Sequence, residues 1–225
     1  MSAHFDFMGF FLIIIPLMVA VILHEVAHGV AALYFGDPTA RDAGRLSLNP
    51  IRHLDLFGSF LLPLILKLSG APILFGYAKP VPVNFGRLRP FKSGTLAVAS
   101  AGVIVNFGLA ALSAALFRIC IHFRHTFTAL FSETMTIVIL ELLFYSVTIN
   151  VVLALFNLIP IPPLDGGRIV TALLPVRLQI KILPLEKFGM VLLILLLLTN
   201  SLDLLMKYLV TPLIRWLIPL PAGLL

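Results

Sequence analysis

The residues best placed to do chemistry are His24-Glu25-Val26-Ala27-His28. On a helix of about 3.6 residues per turn, positions i and i+4 lie roughly 40° apart, so both imidazoles can reach one metal ion. Glu25 falls about 60° from His28 on the same wheel, near enough to take a proton from water that a metal activates. With 6 His in 225 residues, chance would produce this H-E-x-x-H pattern only about 0.003 times in such a chain. The alternative is that these polar groups help helices associate. Three ionisable residues in five positions at membrane depth would each cost about 2.5 kcal/mol or more without a partner. A divalent metal supplies that partner.

The surrounding chain is 60% apolar and 12% charged, with a mean hydropathy of +1.09. A soluble domain is about half apolar and a quarter charged, so this balance excludes both a water-soluble globular enzyme and a disordered chain. The net charge of +6 sits in short loops between apolar runs. That distribution reads as membrane topology, with no basic, aromatic-interleaved patch for nucleic acid. Cys120 is the only cysteine and so has no disulfide partner within the chain. The first apolar run lacks a basic leader and continues into the charged motif, so it is expected to stay in the mature chain.

The hydropathy pattern predicts an all-α membrane protein, a polytopic helical bundle forming one domain over 1–225. Four clear spans are expected at about 8–35, 93–121, 134–158 and 188–206. Gly36-Asp37-Pro38 closes the first. Between the first and second, 54–92 is a weaker excursion, interrupted by Pro63 and Lys67 and ending in Gly76-Tyr-Ala-Lys-Pro-Val-Pro-Val-Asn84. There the prolines forbid helix, and the alternation suggests an edge strand or β-hairpin. The tail from Leu209, cut by Pro212, Pro219 and Pro221, is expected to lie in the membrane interface.

Catalytic zinc takes three protein ligands and leaves a position for water. Candidates for the third are Glu141, Asp165 and Asp203, with His53, His122 and His125 near the ends of apolar runs. Asp165 is favoured by its setting, Asn157-Leu-Ile-Pro-Ile-Pro-Pro163-Leu-Asp165-Gly-Gly167. Three prolines force the backbone out of helix just after a span, and such backbone is tolerated only beside protein or a watery cavity. The competing role for Asp165 is capping of a short helix over 166–174.

H-E-x-x-H in an early span, followed far downstream by N-x-x-P-x-x-x-x-D-G, resembles the site-2 protease family of intramembrane zinc metalloproteases. The 76–84 stretch is similar to the short prokaryotic members without a PDZ or CBS domain, and the resemblance runs from about residue 15 to 175. It implies that His24, His28 and Asp165 bind Zn2+ and that Glu25 is the general base. It also implies that Asn157 helps hold an unwound substrate. Gly102-x-x-x-Asn106 resembles a family motif near the active site, which would bring Asn106 to substrate or to a ligand. The other reading of Asn106 is helix packing with one interhelical hydrogen bond, worth about 0.6–2 kcal/mol.

Topology supplies an independent constraint. The three ligands must reach the same side of the membrane, so 54–92 must begin and end on one face as a re-entrant or interfacial excursion. Of the 16 Lys and Arg, Lys67 lies within that excursion, eleven fall on the face the first span leads to, and four on the other. The eleven mark the cytoplasmic side. The expected activity is hydrolysis of peptide bonds in a single-span membrane protein or peptide within the bilayer. Because a transmembrane helix has all its backbone bonds internal, it must partly unwind first. Asn157, the break around Pro163 and the 76–84 edge would hold it extended. The alternatives are a zinc-binding membrane transporter and a non-catalytic scaffold. The Glu beside two histidines argues for a reaction, and the chain lacks the internal repeat common in transporters.

Overall fold

The computed structural model describes residues 7–55, 61, 65, 79–175, 177–179, 189, 192, 195, 196 and 201–218. Every regular element among them is helical. Among the described residues, three helices are long and apolar enough to cross a membrane: α1 (Phe7–Tyr34), α3 (Phe91–His122) and α5 (Glu133–Asn157). At 1.5 Å per residue they measure roughly 38–48 Å, more than the roughly 30 Å hydrocarbon core. They fall on three of the four runs read from hydropathy. The fourth run, 188–206, lies largely outside the described residues, as does the part of the excursion from 56 to 78.

Shorter elements link them: α2 (Thr39–Asp42), 3-10 turns at Pro50–His53 and Phe85–Arg87, α4 (Arg124–Phe131) and α6 (Asp165–Leu173). A last helical stretch comprises α7 (Ser201–Leu205), a π turn (Met206–Val210) and α8 (Thr211–Leu217). The chain divides into two compact units, Val21–Gly102 and the remainder, Met1–Ala20 with Val103–Leu225.

In the 21–102 unit, α1 is stopped by the chemistry expected of Gly36. Its φ of 96° suits a residue without a Cβ. Asp37 N–H donates to Ala32 O and Gly36 N–H to Leu33 O, the paired bonds of a Schellman motif. Ala32, Leu88 and Val98 are buried, with Phe35, Val83 and Phe85 packed on them. Residues 79–84 form no helix, and no strand ladder forms among the described residues. Their main chain is instead strapped to side chains. Arg45 Nη2 donates to Lys79 O at 2.7 Å, and Asp37 Oδ2 accepts from Asn84 N–H at 2.6 Å.

Asp37 is fully buried, and burial alone would raise its pKa. The Thr39 hydroxyl, the N–H groups of Asn84 and Thr39, and the charge of Arg87 outweigh that and hold it below the ordinary value of 3.8. A depressed carboxylate stabilises the fold above its unfolded pKa, and that contribution fades as pH falls through the lower folded value. Asp37→Asn should therefore destabilise by about 1–3 kcal/mol near neutrality, because an amide nitrogen would meet donors. The gap from wild type should close only below pH 3.8, as read by thermal unfolding in detergent across pH.

In the other unit, the second half of α3 packs Ala110, Ala114 and Phe117 with Val147 and Val151 of α5 and with Val210, Ile214 and Ile218. Pro212 sits in the first turn of α8, directly after the π turn, and the helical stretch continues through it where the sequence suggested an interruption. Arg118 caps the end of α8, donating to Leu217 O and Trp216 O at 2.7 Å each. Trp216 stays exposed.

Candidate metal centre

His24, Glu25 and His28 lie in the last three turns of α1, as their spacing requires. The two imidazoles pack edge to face, with centroids 4.6 Å apart, and their Nε2 atoms face each other at 3.0 Å. His28 Nδ1 lies 2.7 Å from Val98 O. A carbonyl only accepts, so Nδ1 carries the proton and Nε2 is the ring's acceptor nitrogen, the atom that can ligate a metal. Two nitrogens each about 2.0–2.1 Å from a tetrahedral zinc would stand about 3.3 Å apart. The observed pair is within a few tenths of that, so these side chains fit a metal.

The pair owes its position to close approach of α3. A Cβ on Gly102 would lie 2.5 Å from His24 Nδ1 and Cε1, so the ring occupies the place of the missing side chain. Gly102 is thus a seat for His24, which is buried. Glu25 is held by the 79–84 segment. Its Oε2 accepts the N–H of Val81 at 2.7 Å. The sequence marked 76–84 as a strand edge open to a partner; the described part instead commits the Val81 and Asn84 N–H groups to Glu25 and Asp37. Neither this contact nor the Val98 carbonyl was foreseen. The one available signal was Pro80-Val81-Pro82, which leaves a single N–H in three residues.

In the second unit, α5 ends at Asn157, whose Nδ2 donates back to Leu153 O at 3.0 Å. The chain then leaves helix for seven residues and resumes at Asp165. The N-cap of α6 is Leu164, so Asp165 is the first helical residue and not the cap. Gly166 is packed on the carbonyl of Leu158, and Gly167 on Pro162. Side chains there would collide with backbone, so the paired glycines let the break fold tightly against the start of α6. Asp165 is half-buried and Pro163 exposed.

Asn106 is fully buried, donating to Asn150 Oδ1 at 2.8 Å and to Ala20 O at 3.4 Å. Among the other acidic and histidine candidates, His122, His125, Glu141 and Asp203 are exposed. His53 is buried and bonds Ser47 O through Nε2 at 2.6 Å.

The model of peptidase family M50 matches residues 12–199, most of the chain. The chain belongs to peptidase family M50, the site-2 protease family. It is accordingly a membrane metalloprotease, and peptide-bond hydrolysis is its chemistry. Among its relatives is a Bacillus subtilis protein named "Putative zinc metalloprotease YwhC", 38% identical over 83% of this chain and 80% of the relative. Two proteins named "Putative zinc metalloprotease Rip2" are also similar. That of Mycobacterium tuberculosis is 30% identical and that of Mycolicibacterium smegmatis 27% identical, each over 86% of this chain and 69% of the relative. No solved structure matches.

Proposed function

We propose that this M50 peptidase cleaves the transmembrane helix of single-span membrane proteins, with Zn2+ held by His24, His28 and Asp165 and with Glu25 as general base. The observation that carries the reading is the His24–His28 pair, with Nε2 atoms 3.0 Å apart and the His28 tautomer set by Val98 O. Asp165 completes the usual three-ligand set. It stands at a helix start beside non-helical backbone, whereas His53 is engaged with Ser47 and the remaining candidates are exposed.

When bound, zinc acts as a Lewis acid, lowering the pKa of water and polarising the scissile carbonyl. Glu25 then accepts the proton of the attacking water through its carboxylate and delivers it to the departing amine. The Val81 N–H leaves the second Glu25 oxygen to do this. Asn157 and the exposed Pro163 are the groups we assign to the extended substrate. Asn106 would join them only by releasing Asn150, to which its amide is now committed.

The proposed topology keeps one domain over 1–225 with a fourth crossing at 188–206 and a re-entrant 54–92. That arrangement lets the ligands meet on one side of the membrane. The eleven-to-four bias of Lys and Arg makes that side cytoplasmic.

Zinc per purified chain is the test. Wild type and Glu25→Gln should each carry one equivalent, and Asp165→Ala should lose it or bind at least about 100-fold more weakly. Full zinc in Asp165→Ala would move the third ligand elsewhere.

A further inference from the structure

Resting on the proposed role of Glu25, we infer that the main-chain N–H of Val81 is the group that orients this base, and that the 79–84 strap exists in part to present it. Prolines at 80 and 82 lack an N–H, so Val81 is the sole main-chain donor of the tripeptide. They also disfavour helical backbone at Lys79 and at Val81 itself, the residues that precede them. The bond to Glu25 Oε2 is 2.7 Å, the length of a charge-assisted contact.

The strap is fixed on either side of this point, by Arg45 at Lys79 O and by Asp37 at Asn84 N–H. Gly29 lies one helical turn beyond Glu25, and a Cβ there would come within 2.9 Å of Val81 Cγ1 and 2.5 Å of Leu46 Cδ2. The Val81 side chain thus packs close to the α1 backbone one turn from Glu25, with Leu46 closer still. Val81 is buried. It is a positioning residue: it touches the base and not the reacting bond.

The first readout needs no substrate. Hydrogen exchange at the Val81 amide, followed in the full-length protein in detergent, should accelerate at least about tenfold in Glu25→Ala while exchange in α5 stays as in wild type. Unchanged protection would show that Glu25 is not its acceptor and would overturn the inference.

The second uses a synthetic single-span peptide whose apolar stretch contains Asn-Pro, so that it unwinds readily. Val81→Pro removes the donor and should lower kcat about 10–100-fold with KM within about twofold and zinc retained. Val81→Ala keeps the N–H and should restore most of kcat. A rise in KM at constant kcat would make 79–84 a substrate-docking edge instead, and wild-type kinetics in Val81→Pro would also overturn the positioning role. If wild type holds zinc yet cleaves no single-span substrate, the proposed function fails, and the exchange result still reports on the Val81–Glu25 bond.

Discussion

Glu25→Gln is expected to abolish cleavage, by about a thousandfold or more, while leaving zinc content and fold unchanged. The size follows from what the substitution removes. A positioned general base contributes about 10²–10⁴ to rate, and an amide at this place can neither accept the water proton nor return it to the amine. The selectivity follows from what it keeps. Gln has the same length, and its Oε1 can still accept the Val81 N–H that Glu25 Oε2 accepts now. His24 and His28 are held by other groups, Gly102 behind the first and Val98 O at the second. Intact zinc with lost turnover would therefore separate base from ligand. Glu25→Asp retracts the carboxylate by one methylene from both Val81 and the water, and should retain a small fraction of activity. Substantial turnover in Glu25→Gln would remove Glu25 from the proton path and leave its contact with Val81 as a purely structural tie.

Much of this arrangement could be read from local sequence because its causes are local. The 40° offset of His24 and His28 is a property of any helix, and the apolar runs that become α1, α3 and α5 need only length and composition. The stop at Gly36 likewise rests on residues adjacent in the chain. What could not be read depends on which backbone comes near which side chain. Val98 lies 70 positions from the His28 ring it orients, and Val81 lies 56 from Glu25; no periodicity encodes either. The 79–84 segment shows the consequence. Its prolines excluded helix, and 79–84 forms none, but whether the segment pairs with a strand or with side chains is decided by Glu25, Asp37 and Arg45. Asp165 was similarly half legible. Its place after a proline break was plain, whereas the capping role weighed against ligation turned on a shift of one residue in the helix start, which Leu164 takes.

Gly102→Ala should cost the site its zinc while sparing the rest of α3. An added Cβ would stand 2.5 Å from two atoms of the His24 ring and 2.7 Å from Nε2, distances at which either the ring or the helix must move. His24 is buried and lies 3.0 Å from His28 through Nε2, so a displaced ring no longer shares a metal with its partner. Overpacking alone costs about 1–3 kcal/mol. The loss in zinc affinity should be larger than the 10–100-fold typical of disturbing a group behind a ligand, because here the ligand itself is pushed. Gly108 provides the comparison. It lies six residues further along the same helix, and a Cβ there meets nothing within 4 Å. Gly108→Ala should therefore leave both zinc and thermal stability as in wild type. The contrast isolates sterics at His24 from any general intolerance of alanine in α3. Equal zinc content in the two variants would mean that His24 can re-seat against a fuller helix, and the close approach at Gly102 would then serve packing alone.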